Sequence, residues 1–221
     1  MAWYDGPMRS YGQYCALAKA LDVVGDRWTL LVVRELLLRG PCRYTDLRHG
    51  LPGIATNLLV DRLRQLEHAG VVSREDAPPP VATGLFRLTS RGEQLEPVLH
   101  QLGRWGGPLL RERARDDAFR THWLGLPARL HLKDHAPDRP PVAIELRTGD
   151  EPLVIETLEG TVRTRSGSAP NADAVLTGTP RLIVGVLTGK IDLAAARKAG
   201  LKYKGDPETL RRVQPRAVTR A

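Results

Sequence analysis

The 221-residue chain has only two cysteines and no long run of apolar residues. Two thiols in a chain of this length exclude the disulfide framework of small secreted proteins. The longest apolar run, residues 182–187, is far shorter than the roughly 18 residues that a membrane-spanning helix needs. The first 15 residues do not show the basic-then-apolar order of a secretory signal, so the sequence predicts a cytoplasmic protein without a membrane partner.

The short motifs of common catalytic and cofactor sites are also missing. The sequence contains no GxSxG, HExxH, P-loop or GxGxxG. His131 and His135 are four residues apart, but no third ligand accompanies them, and two ligands do not make a metal site. The carboxylate pairs at 116–117 and 150–151 are typical of exposed turns or helix ends. The sequence therefore predicts no enzyme, no metal site and no cofactor.

Basic residues outnumber acidic ones. The net charge is +8 and the isoelectric point is about 9.9, which favours a polyanionic partner such as nucleic acid. The excess is spread over both halves of the chain, so charge alone does not locate a binding face.

One helix carries the strongest pattern in the sequence. In PGIATNLLVDRLRQLEHAGVVSRED, residues 52–76, Leu59, Leu63 and Leu66 recur at helical spacing and form one narrow apolar stripe. The opposite face carries Thr56, Asn57, Val60, Asp61 and Arg64. A solvated surface helix is one interpretation of that face, and a helix lying in a DNA groove is the other.

The elements around this helix favour DNA. Helices are predicted over 14–24, 28–38, 43–49 and 55–68, followed by strands over 71–76 and 85–89 on either side of a proline-rich turn at 77–84. This order is that of a winged helix-turn-helix, in which the strand pair forms the wing. Residues 91–119 are predicted as a long dimerisation helix that bends or breaks at Gly106-Gly107-Pro108. Its apolar side comprises Leu95, Leu99, Leu102 and Trp105.

The pattern changes after about residue 120. Strands are predicted over 128–134, 142–148, 152–159, 161–167 and 172–178, followed by a helix over 180–190, a short helix, a basic strand and a closing helix over 206–213. This order indicates an α+β domain, an antiparallel sheet with helices on one side. The sequence thus predicts two domains, residues 1–120 and residues 121–221.

The N-terminal half resembles the HxlR family of bacterial winged-helix transcriptional regulators. The resemblance covers roughly residues 11–108 and rests on Gly25–Trp28, the RYTDL segment, LPGI and DRLRQLEHAGVVSR, in order and at the right spacing. It implies a homodimer that binds a near-palindromic operator. The chain departs from the family at Ala55, where a serine usually caps the helix; Thr56 is expected to cap instead, which moves the helix start by one residue.

The C-terminal half, about 121–213, resembles a sterol-carrier-protein-like domain through the segment ADAVLTGTPRLIVGVLTGKIDLAAARKAGLKYKGDPETLRRV. The resemblance implies an apolar cavity between sheet and helices. The residues expected to line it are Trp123, Leu126, Leu130, Leu132, Ile144, Leu146, Leu182, Val186 and Leu187. Apolar strand faces usually fill a core, so the same residues are also compatible with a solid interior.

The DNA-contacting residues follow from the helix-turn-helix and its wing. Asn and Arg side chains can read adenine and guanine bidentately, and further arginines can hold phosphates. Arg62 matches a nearly invariant arginine of the family, and a structural ion pair with Asp46 or Glu67 is its alternative role. The predicted set is Arg43, Thr45, Arg48, Thr56, Asn57, Arg62, Arg64, Arg74 and Arg87.

The sequence thus predicts a homodimeric DNA-binding transcriptional regulator, a repressor, whose partners are an operator, a second copy and an apolar small-molecule effector. Two alternatives stay open. In one, Cys15, at the position where this family often places a sensor cysteine, acts as a thiol switch; a small buried hydrophobe is its other interpretation. In the other, the protein carries hydrophobic molecules and its winged helix is not regulatory.

Overall fold

The structure, a computed structural model, describes residues 10–76, 84–111, 117–149 and 151–215. The chain divides into two compact units, residues 1–99 and residues 100–221, each with its own sheet. Secondary structure is mixed α+β. Within the described ranges, no helix is both long and apolar enough to span a bilayer.

The first unit is a helical cluster with a small sheet. Its elements, with the last helix continuing past residue 99, are α1 (Ala16–Val24), α2 (Thr29–Arg39), β1 (Cys42–Arg43), α3 (Tyr44–Gly50), α4 (Thr56–His68), β2 (Val72–Asp76), β3 (Gly84–Leu88), α5 (Ser90–Glu93) and α6 (Glu96–Gly106). The three strands are antiparallel in the order β1-β3-β2. The predicted winged helix-turn-helix order is therefore present, and the turn at 77–83 lies outside the described residues.

Helix α4 forms because its apolar residues share one side. Leu59, Leu63 and Leu66 are 2% exposed or less and pack into the core of the first unit. The helix ends at Ala69-Gly70, where Gly70 takes a φ of +67° that only glycine adopts readily. At its start, Ala55 occupies the cap position without a side-chain acceptor and Thr56 is already helical. The expected Thr56 cap is therefore absent, although the helix does begin at Thr56.

Helix α2 buries an acidic side chain among its apolar residues. Glu35 of α2 is fully buried and its Oε1 lies 2.7 Å from Nη2 of Arg34. Its carboxylate lies against Gly50, the last residue of α3, where a Cβ atom would overlap it. A side chain at position 50 would therefore have to displace the buried carboxylate of Glu35.

The predicted long helix over 91–119 is wrong. Helix α5 ends at Glu93, a turn follows, and α6 starts again with Pro97 in its first turn, where a missing N–H does no harm. At Gly106 the α-helix ends and a 3-10 helix, Gly107–Arg111, follows. The predicted break at Gly106-Gly107-Pro108 is thus confirmed, and residues 112–116 of the predicted helix lie outside the described residues.

The second unit is a five-stranded sheet with helices. Its elements after the 3-10 helix Thr121–Leu124 are α7 (Gly125–His131), β4 (Ala143–Arg147), β5 (Leu153–Leu158), β6 (Thr161–Ser166), β7 (Ala174–Thr177), α8 (Pro180–Leu187), α9 (Leu193–Lys198), β8 (Lys202–Gly205) and α10 (Pro207–Val213). The strand order is β6-β5-β4-β7-β8. The core contains buried residues of α7, the sheet and α8, among them Ala128, Ile144, Leu176 and Val186.

Two predictions for this unit need correction. The sheet is mixed, not antiparallel, because β7 pairs in parallel with β4 after residues 167–173 carry the chain across the sheet. Local hairpin patterns do not reveal such a crossover. The strand predicted over 128–134 is instead largely helix α7, since Leu124, Ala128 and Leu132 recur every four residues and are all buried.

Candidate nucleic-acid interface

The outer face of α4, defined here as Asn57, Val60, Asp61 and Arg64, lies opposite the buried leucine stripe. Asn57, Asp61 and Arg64 are exposed and Val60 is half-buried. Their spacing of three and four residues puts them along one side of the helix. Thr56, also exposed, lies at the N-terminal end of the same helix. The structure therefore brings three of the predicted base-reading residues, Thr56, Asn57 and Arg64, to one solvent-facing surface.

The chemistry of this face suits base edges. The Oδ1 of Asn57 accepts a 2.9 Å hydrogen bond from the backbone N–H of Leu58, which fixes the amide at the start of the helix. An asparagine and an arginine can each make bidentate contacts, to adenine and guanine respectively. Asp61 between them is an acceptor that repels phosphate, but it can take a hydrogen bond from the cytosine amino group.

A hydrogen bond fixes α4 relative to α3. The hydroxyl of Tyr44, the first residue of α3, donates to the carbonyl oxygen of Thr56 at 3.0 Å. Between the helices, Leu51 and Ile54 are buried and Gly53 takes a φ of +86°, so the LPGI segment makes a tight turn that needs glycine. The start of α4, where Thr56 and Asn57 lie, is thereby anchored at its backbone.

Tyr44→Phe is expected to loosen this anchor without removing the ring. A typical hydrogen bond of this kind contributes about 1 kcal/mol, so the free energy of unfolding should fall by roughly that amount. Amide hydrogen exchange of α4, measured at increasing denaturant concentration, gives this change in free energy. Tyr11→Phe, whose ring is exposed, is the matched control and should leave the unfolding free energy within about 0.5 kcal/mol of the parent. Equal stability of the two variants would contradict the assigned role.

Further residues predicted to contact DNA lie on α3 and directly before it. Arg43, Thr45 and Arg48 are all exposed. The backbone N–H of Arg43 donates to Oδ2 of Asp46 at 3.0 Å, and this bond fixes the start of α3. These side chains lie on the first helix of the helix-turn-helix or directly before it, where contacts to the DNA backbone are made in this fold.

The wing places its two predicted arginines on paired strands. The guanidinium carbon of Arg74 in β2 lies 5.8 Å from the ring centroid of Phe86 in β3. Arg87 in β3 forms an exposed ion pair with Glu75, with Nη1 and Oε1 2.8 Å apart. An exposed pair of this kind is worth little, so Arg87 can exchange Glu75 for a phosphate at small cost.

Arg62 does not lie on the outer face of α4. Its side chain is 15% exposed and forms an ion pair with Asp26 and a hydrogen bond with Gln65. Its ion-pair partner is therefore Asp26, not the expected Asp46 or Glu67. The sequence missed this partner because Asp26 lies before α2, 36 positions away, and no helical spacing links the two residues.

The comparisons with known proteins agree with this geometry. The family described as HxlR-like helix-turn-helix matches residues 23–114. An uncharacterized HTH-type transcriptional regulator of Synechocystis is 38% identical over 103 residues, which are 44% of this chain and 73% of that protein. The chain belongs to the HxlR-like helix-turn-helix family.

Other relatives in this transcriptional regulator family match a similar share of this chain. YkvN of Bacillus subtilis, also an uncharacterized HTH-type transcriptional regulator, is 36% identical over 42% of this chain and 78% of its own length. The solved reduced form of the regulator YodB from B. subtilis is 25% identical, covers 46% of this chain and all of that chain, and has a TM-score of 0.40. The family match ends at residue 114 and does not include the five-stranded sheet of the second unit.

The two cysteines of this HxlR-like protein differ sharply in environment. Cys15 is exposed and directly precedes α1. Cys42 in β1 is buried, and burial raises the pKa of its thiol to about 12. A thiolate is the reactive form, so Cys42 is inert at neutral pH. Cys15 is therefore not part of the core of its own subunit.

The residues predicted to line an apolar cavity fall into two groups. Five lie inside the packed core of the second unit: Leu132, Ile144, Leu146, Val186 and Leu187. The other four are half-buried: Trp123, Leu126, Leu130 and Leu182. The first group fills space between the sheet and the helices, as its alternative interpretation predicted. Only the second group retains surface that a ligand could reach.

A different concavity lies on the opposite face of the sheet. It has a volume of about 410 Å³ and its charged lining comprises Arg147, Asp173, Lys202 and Lys204. In the sequence, residues 201–205 are predicted only as a basic strand. The alternation of Lys202 and Lys204 was the available signal, but it could not show which strands lie beside them. Within the described ranges, no group of three or more histidine, cysteine or acidic side chains is arranged to hold a metal ion.

Proposed function

We propose that this protein is a homodimeric transcriptional repressor that reads a near-palindromic operator with α4. The observation that carries the proposal is the outer face of α4, which exposes Asn57 and Arg64 opposite a buried leucine stripe in a helix-turn-helix of the HxlR-like family. Arg43, Thr45 and Arg48 are assigned to the phosphates beside the reading helix. Arg74 and Arg87 are assigned to the phosphates beside the wing. We assign Arg62 a structural role, since its side chain pairs with Asp26.

Exposed apolar side chains support the dimer. Leu17 and Leu21 lie one turn apart on α1 and are 67% and 39% exposed, and Tyr14 just before them is fully exposed. Leu102 and Trp105 on α6 are likewise exposed, as expected for the predicted dimerisation helix. Exposed apolar side chains on each of these two helices fit a second copy of the same chain. Two subunits would then place their reading helices at half-sites about 10 base pairs apart or a multiple of this distance.

The experiment is a comparison of specific and non-specific DNA binding. An operator is first enriched from a random DNA pool, and its binding is followed by fluorescence anisotropy over a range of salt, with random DNA as competitor. We expect a near-palindromic sequence bound at least about a thousandfold more tightly than random DNA. Sedimentation of the complex should show two chains per site. Equal and steeply salt-dependent binding to both DNAs would contradict the proposal, because it indicates phosphate contacts alone and would favour the carrier alternative.

For the second unit we propose a regulatory role. A small molecule bound there would change operator affinity if it favoured one dimer geometry, with a coupling of about 1 to 3 kcal/mol. An apolar ligand of the sterol-carrier type would have to enter among Trp123, Leu126, Leu130 and Leu182, the reachable members of the expected lining. A panel of sterols and fatty acids that leaves operator affinity unchanged would contradict the apolar effector.

Thiol regulation is a second candidate, and the exposure of Cys15 favours it. Hydrogen peroxide would oxidise the Cys15 thiolate to a sulfenic acid and be reduced to water. On this candidate, peroxide lowers the operator affinity of the parent and of Cys42→Ala, because Cys42 is buried and inert. Cys15→Ser should keep its affinity in peroxide. A full response of Cys15→Ser to the oxidant would exclude the thiol switch.

A further inference from the structure

The concavity on the sheet of the second unit has a floor and two walls from three neighbouring strands. In β7, Ala174 and Leu176 are buried in the core, so Val175 and Thr177 face the other way and form the floor. Arg147 of β4 is paired with Thr177 on one side, and Lys202 of β8 is paired with Thr177 on the other. Lys204 pairs with Val175 in the next row.

The row Arg147, Thr177 and Lys202 places two cations on either side of a hydroxyl. Adjacent strands are about 4.8 Å apart, so the backbones of Arg147 and Lys202 are separated by roughly 10 Å across β7. That span accommodates an anionic group held from both sides. Among the described residues, neither Lys202 nor Lys204 has a carboxylate within ion-pair distance.

The side chain of Arg147 is held in place by Glu145 of the same strand. Its Nε donates to Oε1 of Glu145 at 2.6 Å, and Glu145 is only 1% exposed. Burial alone would raise the pKa of Glu145, but hydrogen bonds from the Ala169 amide and Arg147 outweigh it and the pKa is lowered. Glu145 is therefore an anion that uses only one guanidinium nitrogen. The two terminal nitrogens of Arg147, which is 55% exposed, remain available for a fork-like contact to an oxyanion.

The rim of the concavity is tied to the same sheet. The backbone N–H of Ala169 donates to Oε2 of Glu145 at 2.8 Å, and Arg165 donates to the carbonyl oxygen of Ser168 at 3.2 Å. Asp173, at the end of this loop, accepts the backbone N–H of Ala143 at 2.7 Å. The loop is thus ordered without a ligand, so binding loses less conformational entropy.

We propose that this basic pocket, the concavity lined by Arg147, Thr177, Lys202 and Lys204, binds a small molecule that carries carboxylate or phosphate groups. The lining carries three cations and one exposed carboxylate, that of Asp173, so the ligand is expected to be negatively charged. A volume of about 410 Å³ lies within the range of small-molecule sites, and a concave shape favours such a ligand over a DNA backbone. Val175 and Pro170 supply an apolar surface for the uncharged part of the ligand.

Calorimetric titration of the full chain with citrate and, separately, with pyrophosphate at constant ionic strength tests this site. The two probes distinguish a carboxylate site from a phosphate site. We expect at least one of them to bind saturably with a Kd below about 1 mM. The double variant Lys202→Gln/Lys204→Gln should bind that probe at least about tenfold more weakly, because it loses two charge-assisted contacts.

The matched control is Lys133→Gln/Lys198→Gln, which removes the same charge from exposed lysines of the same unit outside the pocket. It should bind within about twofold of the parent, because distant exposed charges are largely screened. Absence of saturable binding below about 1 mM for both probes, or equal losses in the two double variants, would overturn the proposal. Anisotropy with random DNA is measured separately on Lys202→Gln/Lys204→Gln. If this variant loses affinity for random DNA but not for either probe, the pocket contacts DNA and the small-molecule proposal is overturned.

The calorimetric titration contains no DNA, so the result of that titration does not depend on the proposed repressor function.

Discussion

Asn57→Ala and Arg64→Ala are each expected to weaken operator binding by about 5- to 150-fold while leaving affinity for random DNA almost unchanged. A lost bidentate base contact costs about 1 to 3 kcal/mol, and random DNA offers no such contact. The two residues are seven positions apart, about 10.5 Å along the helix, so the double variant should show nearly the product of the single losses. Anisotropy titrations against operator and random DNA measure both effects.

Two controls separate base reading from loss of charge and loss of fold. Arg48→Ala removes a proposed phosphate contact, so it should weaken both DNAs alike and lower the salt slope by about 1. Arg91→Ala removes one positive charge from exposed α5 and should change neither affinity by more than about twofold. Arg48, Arg64 and Arg91 are exposed, so their alanine variants should keep a free energy of unfolding within about 0.5 kcal/mol of the parent. Asn57→Ala also loses the hydrogen bond from the Leu58 N–H and should cost about 1 kcal/mol. Equal weakening of operator and random DNA by Arg64→Ala would refute base reading by this residue.

The sequence predicted the reading helix well because α4 is amphipathic by itself. Leu59, Leu63 and Leu66 are spaced for one buried side, so the exposed side follows directly from the helical period. The LPGI segment before it supplies Gly53, whose positive φ only glycine adopts readily. The identity of the outer face of α4 could therefore be predicted without a structure.

Features that depend on distant parts of the chain could not be predicted this way. Arg62 lies within α4, yet its partner Asp26 comes from before α2. Helix α7 has polar residues among its leucines that imitate strand alternation, and only burial against the sheet decides in favour of a helix. The basic pocket requires the parallel pairing of β4 with β7, which brings Arg147 and Lys202 to either side of Thr177. Long-range strand pairing leaves no short-range mark in a sequence.

The largest expected loss of stability comes from Arg212→Ala in α10. The Arg212 side chain is 10% exposed and meets the 2% exposed carboxylate of Asp134 through two bonds, Nε to Oδ1 at 2.8 Å and Nη2 to Oδ2 at 3.0 Å. Its Nη1 also donates to the carbonyl oxygen of Pro140 at 2.7 Å. The variant leaves a buried carboxylate without its cation, a loss that typically costs about 3 to 5 kcal/mol. We expect about 3 kcal/mol, because a tenth of the Arg212 side chain is in solvent.

Arg211→Ala provides the control on the neighbouring residue of the same helix. Arg211 pairs with Glu208, and the two side chains are 68% and 64% exposed, so this loss should cost less than about 1 kcal/mol. Amide hydrogen exchange in β4 and β5 is the suitable measurement, because two units need not unfold together. Equal exchange rates in Arg211→Ala and Arg212→Ala would show that the Asp134 pair does not hold the unit together.

The pH dependence of the Arg212 effect follows from the carboxylate it pairs with. Hydrogen bonds from Arg212 hold the pKa of Asp134 below its ordinary value, so the unfolded chain binds a proton at higher pH than the folded chain does. The stability that this pair contributes is therefore present above the ordinary aspartate pKa of about 3.9 and is lost as the pH falls through the lowered folded pKa. In Arg212→Ala the buried carboxyl takes up a proton more easily, which relieves its burial penalty. The stability difference between parent and variant should thus be largest near neutral pH and narrow below about pH 4, and a constant difference across this range would place the loss in packing instead of charge.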